Sequence, residues 1–304
     1  MNNIIVVRLF TLVIAFLVTV LKAIDSNGLG HHNHSSVHLR QNYYHGMELY
    51  ELENAIQEKT ALKKLMDAIA DLDAGKNLPG DHPFVDVIPS IIMESNLVPP
   101  RDKFIVGERA IRLMGKDYIV YAAGIANEPA FEGYMRWVLG ADVYAFDCTT
   151  AGKASWNLNF HQWCLGTNKK LDLSKYASTV AGQQLQFYTL PELKKKLGHT
   201  RVDMLKMDIE GCEWDLLYDE VIRGQDEDLP VQLLFELHTE GANWKWVPED
   251  IVKGKKRRQV NQLIVDLYHR NYRVFHVELN DGDRFCAEIG FYRVANKNPL
   301  HERR

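Results

Sequence analysis

Three carboxylates, Asp208, Glu210 and Glu213, lie at the end of an apolar run over residues 202–209 and just beyond it. Such a run is typical of a buried parallel strand, so the carboxylates would follow the point where the strand ends. Open α/β sheets bind their ligands at the carboxyl ends of their strands. The spacing therefore predicts that this segment carries the chemistry of the protein.

A second strand pattern, over residues 231–237, adds Glu236 and His238. Side chains two positions apart share a face of an extended strand, so Asp208 pairs with Glu210, and Glu236 with His238. Neighbouring parallel strands bring such pairs to one edge of the sheet. We therefore expect these four polar side chains to converge.

This grouping is compatible with two kinds of chemistry. In the first, Asp208 or His238 removes a proton from a hydroxyl acceptor while Glu210 shapes the site, and a positioned base contributes about 10²–10⁴-fold. In the second, Asp208, Glu210, Glu236 and His238 hold a divalent metal ion that positions the hydroxyl. We adopt the first, with Asp208, His238 and Glu210 as catalytic residues and no metal. Glu213 would then only balance a helix dipole.

A strand, a glycine turn and a helix start occur earlier in the chain. The strand covers residues 118–123, Gly124 permits close backbone approach, and Asn127 is predicted to cap the helix that follows. The amino end of that helix offers unpaired N–H groups. Asp147 ends the next strand, residues 142–146, where an acid can take two ribose hydroxyls. Together these features predict a nucleotide or nucleoside site.

The glycine turn favours a cofactor without phosphates. Ala126 and Ala130 stand where a dinucleotide fingerprint has its second and third glycines, so provision for a pyrophosphate is small. S-adenosylmethionine meets this condition. We therefore predict that Gly124, Ala126, Asn127 and Asp147 bind this cofactor.

The chain after residue 100 alternates strand and helix patterns, which indicates a mostly parallel sheet. The last two strand patterns, residues 272–279 and 287–294, are joined by a polar turn and predict an antiparallel hairpin. We predict an α/β fold, a Rossmann-like three-layer sandwich with a mostly parallel seven-stranded sheet closed by that hairpin. The domain is predicted to cover residues 101–304.

The sequence resembles the FkbM-type class I methyltransferases, and more narrowly the methyltransferase-like proteins of the secretory pathway, in three blocks: Val143–Asp147, Lys206–Glu213 and Leu233–His238. The resemblance covers residues 105–295. It implies an S-adenosylmethionine-dependent methyltransferase that acts on a hydroxyl acceptor, such as a glycan. The sequence departs from the family at Ala122, where many members carry an acid that meets the amino-acid part of the cofactor.

Two alternatives stay open. Ala122 and the sparse glycines favour a catalytically silent Rossmann-like domain that binds a glycan or protein partner. The clustered carboxylates oppose it, because a pure binding module has little need of them. A metal-dependent hydrolase would use the same cluster but would leave Asp147 without a role.

The amino-terminal residues predict a secretory-pathway signal. Residues 4–21 are apolar except for Arg8 and two threonines, which suits a signal peptide or an uncleaved type II anchor. We predict that residues 1–24 direct the protein to the ER or Golgi membrane as a single-pass protein, or to secretion. Residues 25–100 are predicted to form a flexible stem, an amphipathic helix over 47–72 and a proline-rich connector.

Charge and cysteine content limit the partners and the compartment. A formal net charge of -4 over 304 residues argues against a dedicated nucleic-acid binder. Four widely spaced cysteines do not form a metal pattern, and an oxidising lumen could pair them. Their pairing is not determined by the sequence, although we expect Cys212 to stay free. The cysteines are Cys148, Cys164, Cys212 and Cys286.

Overall fold

The computed structural model describes residues 57–294 except 81, 92, 94, 100–102, 151–156, 167–184, 243–246 and 248. The predicted signal or anchor, residues 1–24, and the predicted stem lie outside these ranges and stay predictions. Within the described part of the chain, no helix is both long enough and apolar enough to cross a membrane.

The secondary structure follows the predicted alternation of strands and helices. In chain order the elements are α1 (57–73), β1 (Ser95–Val98), β2 (Lys103–Val106), α2 (Glu108–Met114), β3 (Ile119–Ala123), α3 (Ala130–Gly133, continuing as a π-helical turn over Tyr134–Val138), β4 (Asp142–Phe146), β5 (Asn159–His161), β6 (Cys164–Leu165), β7 (Phe187–Tyr188), α4 (Leu190–Leu197), β8 (Met204–Met207), α5 (Glu213–Leu216, with a π-helical turn over Leu217–Ile222), β9 (Gln232–His238), α6 (Glu249–Val252), α7 (Arg257–His269), β10 (Tyr272–Asn280) and β11 (Asp283–Arg293). Short 3-10 turns cover Gly115–Asp117 and Asp226–Asp228.

Seven strands form the central sheet in the order β10-β11-β9-β8-β3-β4-β5. Strands β9, β8, β3, β4 and β5 run parallel to one another, and β11 is antiparallel to both β9 and β10. The predicted mostly parallel seven-stranded sheet and its closing antiparallel hairpin are therefore confirmed.

Helices cover both faces of this sheet. On one face Leu205 and Leu233 pack in a core that includes Leu193 of α4 and Leu263 of α7. The opposite face holds a second core, in which Val120 packs with residues of the β1–β2 hairpin, α2 and α3. Because strand side chains alternate between the faces, two cores and one sheet give the predicted three-layer sandwich.

The segment before the sheet is more ordered than its prolines indicated. Helix α1 ends as predicted before Gly75, whose backbone is left-handed (φ 73°). The predicted connector, residues 76–100, contains β1, which pairs with β2 as an antiparallel hairpin. Pro99 lies directly after β1, where a missing N–H costs no ladder hydrogen bond.

Candidate active site

Strands β3 and β8 end level with each other, because Ala123 is the register partner of Met207, and Phe235 of β9 is the partner of Met207 on its other side. The residue after each partner therefore lies at the same edge of the sheet. These residues are Gly124, Asp208 and Glu236. The edge joins the glycine turn to the acidic residues.

Gly124 packs directly against the backbone of Asp208. Its φ is +73°, and a Cβ added there would lie 1.6 Å from the Asp208 carbonyl oxygen. A side chain is thus excluded by contact as well as by conformation. The amide of Asp208 donates to the Ala123 carbonyl at 3.0 Å, so the two strand ends are fixed to each other.

The carboxylate of Asp147 holds the glycine turn to the end of β4. One oxygen accepts the backbone N–H groups of Ile125 and Ala126, at 3.1 and 2.8 Å. The other accepts the amide and hydroxyl of Thr149 and the amide of Thr150, at 2.8, 2.7 and 3.1 Å. Two carboxylate oxygens offer about four lone-pair sites, so protein donors already use this group fully.

Ala126 and Asn127 are exposed to solvent on the glycine turn. Asn127 does not cap the next helix, contrary to prediction, because Pro129 occupies the cap position and no side chain bonds there. A tight turn intervenes instead, in which the Glu128 amide donates to the Ile125 carbonyl at 2.9 Å. The left-handed backbone of Ala126 (φ 44°) shapes this turn.

Lys206 supports the turn from beneath. Its ammonium group donates to the Gly124 carbonyl and lies 3.9 Å from the Glu132 carboxylate of α3. Both carboxylate oxygens of Glu132 are buried without a hydrogen-bond partner. Burial raises the pKa of Glu132, which lets this carboxyl hold a proton next to Lys206.

His238, the last residue of β9, is buried among carboxylates with only 2% of its side chain exposed. Its Nδ1 lies 3.5 Å from Glu213, and its Nε2 lies 3.6 Å from Glu210 and 3.7 Å from Glu236. Although burial opposes protonation, the nearby Glu213 carboxylate helps to raise the pKa of His238 well above its ordinary value. The imidazole is therefore protonated at neutral pH and is not free to accept a proton.

Glu213 stabilises the turn after β8. Its buried carboxylate accepts the amides of Ile209 and Gly211 at 2.7 and 2.9 Å. As the first residue of α5 it is also at a helix amino end, as expected for its structural role. Both carboxylate oxygens serve the turn, and one of them also faces His238.

Glu210 extends from that turn toward His238, with 33% of its side chain exposed. Strand β8 ends at Met207, so Glu210 reaches His238 from a turn and not from the extended strand that the spacing predicted. Its φ of 56° places a non-glycine residue in the left-handed region, a strain that is common at functional sites. Burial raises the pKa of Glu210 to about 7, against the opposing effect of His238.

Asp208 behaves differently from Glu210. Its side chain is 28% exposed. Burial alone would raise the pKa of Asp208, but Lys206 and Lys103 lower it below its ordinary value. Asp208 is therefore a fixed negative charge at neutral pH, whereas Glu210 exchanges its proton in that range.

Two further residues of the cluster were not predicted. Lys103 of β2 forms an ion pair with Glu288 of β11 and lies 4.0 Å from Asp208. Glu288 interrupts the apolar run of its strand, a signal that could have placed it on the polar face. Nothing in the sequence around Lys103 indicates a contact across 185 residues.

The comparison with known families decides the identity of the domain. The sequence model of a family described as a methyltransferase domain matches residues 102–293, more than half of the 304-residue chain. The chain belongs to this methyltransferase family. No curated protein matches it.

Solved structures resemble the methyltransferase distantly. A chain of the fibrillarin/NOP5P complex is 11% identical with a TM-score of 0.33, over 60% of this chain and 79% of that one. A 16S rRNA (adenine(1408)-N(1))-methyltransferase from Catenulisporales acidiphilia, solved as a mutant with cosubstrate SAM, is 12% identical with a TM-score of 0.32, over 67% and 98%. A mutant MtNAS with S-adenosylmethionine is 11% identical with a TM-score of 0.26; the alignment spans 60% of this chain and 56% of MtNAS. At these TM-scores the likenesses carry no argument about the acceptor.

The methyltransferase uses S-adenosylmethionine as its cofactor. The glycine turn fits a cofactor without phosphates, because the N–H groups of Ile125 and Ala126 already bond to Asp147. Those amides are therefore not directed at an external anion, as a pyrophosphate would require. Gly124, Ala126 and Asn127 leave the turn free of bulky side chains.

Among the residues that the structure describes, two sets have ligand atoms close enough to hold a metal ion. They are Asp208, Glu236 and Glu288, and Glu236, His238 and Cys286, with the atoms of each set within 4.8 Å of one another. Lys103 lies among the first set, and the second contains the protonated His238. Since a cationic side chain already lies among the carboxylates of each set, we assign no metal ion to either set.

A disulfide joins Cys148, next to Asp147, to Cys164 in β6. The pairing was left open by the sequence. Cys212 and Cys286 are free, and Cys212 is half-buried. The disulfide therefore links the end of β4, next to Asp147, to β6.

Proposed function

We propose that this methyltransferase transfers a methyl group from S-adenosylmethionine to a hydroxyl group of its acceptor, with Glu210 as the general base. The observation that carries this proposal is the state of Glu210: partly exposed in the cleft, held in a strained turn and with a pKa of about 7. A base is most effective when its pKa lies near the working pH. His238 and Asp208, the two bases expected from the sequence, meet this condition less well.

Bound S-adenosylmethionine supplies an electrophilic methyl group on its sulfonium. The acceptor oxygen forms the new bond to the methyl carbon as the bond to sulfur breaks, and its proton passes to the Glu210 carboxylate. The products are a methyl ether and S-adenosylhomocysteine. The protein must hold the acceptor in line and receive this proton, and both tasks fall to the acidic edge of the sheet.

In the proposed mechanism Asp208 and His238 act as charged groups. Asp208 stays ionised and places a negative charge beside the acceptor, while the acceptor hydroxyl donates its single proton to Glu210. The imidazolium of His238, 3.6 Å from Glu210, stabilises the ionised form of that base before each turnover. Glu213 keeps His238 protonated from its other side.

The cofactor residues are proposed to act as two groups. Gly124, Ala126 and Asn127 supply the open backbone against which the nucleoside lies. Asp147 fixes this backbone through its hydrogen bonds. When the cofactor binds, a ribose hydroxyl replaces one of the protein groups that now donate a hydrogen bond to Asp147.

We also propose a finer family, an acceptor class and a location. The sequence blocks around Asp147, Asp208 and His238 favour an FkbM-type enzyme, and glycan hydroxyls are the first acceptors to test. A secretory-pathway location, membrane-anchored or secreted, is supported by the apolar residues 4–21 and by the Cys148–Cys164 disulfide, since disulfides persist mainly in oxidising compartments.

Calorimetric titration of the full chain with S-adenosylmethionine tests the cofactor assignment. We expect binding by the wild type, loss of binding in Asp147→Ala and retained binding in Asp208→Ala and Glu210→Gln. The exposed Asp250→Ala serves as the matched control. No binding by the folded wild type would leave the silent binding domain as the better description.

Methyl transfer is then followed with cofactor labelled on its methyl group and a set of glycans, each compared with a derivative whose hydroxyls are blocked. Label should enter only the free glycan and should be retained as an ether after mild base. Transfer to amines but not to hydroxyls would contradict the proposed acceptor. Loss of activity on addition of a chelator would instead support the hypothesis of a metal-dependent reaction.

A further inference from the structure

Three carboxylates from three neighbouring strands face one another beneath the cleft. Glu236 of β9 and Glu288 of β11 are register partners, and Asp208 follows the end of β8 on the other side of β9. One oxygen from each lies within 4.8 Å of the others. Carboxylates this close repel one another unless protons or cations lie among them. We call these three residues the acidic triad.

Lys103 provides a positive charge at this place. Its side chain is 3% exposed, and its ammonium group pairs with Glu288 and lies 4.0 Å from Asp208. Burying an ammonium group is costly, so a position this deep is favourable only where carboxylates compensate. Burial raises the pKa of Glu288 to about 8, and the ammonium group of Lys103 opposes this by favouring the ionised carboxylate.

We propose that Lys103 is a positioning residue whose ammonium group takes the place of a divalent cation in the acidic triad and thereby fixes the Asp208 carboxylate at the cleft. The acidic triad thus has the ligand arrangement of a metal site, but the ammonium group of Lys103 supplies the positive charge. This inference rests on the proposed role of Asp208 at the acceptor but on no particular acceptor.

The β1–β2 hairpin is the part of the fold that delivers this cation. Lys103 is the first residue of β2, and the hairpin packs over the same sheet face through Val98 and Ile105. Its apolar residues supply the burial energy that holds the lysine stem in place. The hairpin therefore contributes a charged side chain to the acidic triad.

Binding of Mn²⁺ to the full chain, measured by calorimetry and electron paramagnetic resonance without cofactor or acceptor, tests the proposal. Wild type should bind no Mn²⁺ at the triad. Lys103→Ala should bind roughly one Mn²⁺ per chain, because three carboxylates and water form an oxygen site suited to this ion. Adding Glu288→Gln to that variant should weaken binding at least about tenfold, since one charged ligand is lost.

Lys194→Ala is the matched control, because Lys194 is also a buried lysine paired with a carboxylate, that of Asp228, but it lies in α4. This variant should gain no Mn²⁺ site. Lys103→Arg should also bind none, since the guanidinium keeps the charge.

Mn²⁺ binding by wild type at the triad would overturn the proposal, as would folded Lys103→Ala that binds no Mn²⁺. If Lys103→Ala unfolds, Lys103→Met keeps the apolar stem, and Mn²⁺ should raise its melting temperature but not that of Lys194→Ala. No Mn²⁺-dependent stabilisation of either Lys103 variant would contradict the idea. These outcomes do not depend on methyl transfer, so they are distinct from a failure of the proposed function.

Discussion

The carboxylate of Glu210 and the imidazole of His238 face each other at 3.6 Å, although one projects from a turn and the other ends a strand. Glu210 has a pKa of about 7, whereas His238 is held protonated. The pair therefore combines a group that exchanges a proton near neutral pH with a fixed cation beside it. In the proposed mechanism, Glu210 of this pair accepts the proton of the acceptor hydroxyl.

Replacing Glu210 by Gln should lower kcat by about 10²–10⁴-fold, because the amide keeps the shape but accepts no proton. The affinity for S-adenosylmethionine should not change, since Glu210 does not belong to the glycine turn. Steady-state turnover and calorimetry measure the two effects. Glu249→Gln, an exposed glutamate of α6, is the control. A kcat equal to that of wild type would exclude Glu210 as the base.

The rate should rise with pH through about 7, because burial raises the pKa of Glu210 to that value and only the ionised carboxylate accepts a proton. Below pH 7 the slope of log kcat against pH should approach one, and this limb should disappear in Glu210→Gln. The stability effect has the opposite sign: a raised pKa stabilises the fold at acid pH, and this contribution is lost as pH rises through 7. Glu210→Gln should therefore melt above wild type at pH 8, and an unchanged melting difference between pH 4 and 8 would contradict the shift.

Gly124→Ala should destabilise the fold by about 2–5 kcal/mol, because the added Cβ would meet the Asp208 carbonyl oxygen in a left-handed residue. Gly198→Ala is a close control, since its φ of +74° matches the +73° of Gly124 but nothing lies within 4 Å of its Cβ. It should cost only about 1–2 kcal/mol. Urea unfolding of both variants separates contact from conformation, and equal losses would show that the contact is unimportant.

Replacing Cys148 and Cys164 together by Ser should lower the free energy of unfolding by about 3 kcal/mol, because the disulfide closes a loop with a sequence separation of 16 residues. Thermal unfolding under non-reducing conditions measures this loss, and peptide mapping should recover the two cysteines linked. Cys212→Ser, which changes a free thiol, is the control. Labelling of four free thiols in the unfolded, unreduced protein would rule out the bond.

The sequence determined the sheet because periodicity is a local property. Alternating strand and helix patterns indicated a mostly parallel sheet, and the polar turn before β11 indicated the closing hairpin. Strand ends were less well predicted: β8 stops at Met207, two residues before the end of its apolar run, because the turn that Glu213 stabilises begins there. Asn127 was misassigned as a cap because Pro129 starts the helix in its place.

The residue types at the site could likewise be predicted from the sequence, since each lies at or near a strand end: Asp147, Asp208, Glu210 and His238. Their protonation states could not be predicted from the sequence, because a pKa depends on burial and on charges from distant segments. Only the tertiary structure placed Lys103 against the Glu288 carboxylate, 185 residues away, and Glu213 against His238. Local patterns thus specified which groups reach the edge of the sheet, and long-range packing decided which of them hold a proton.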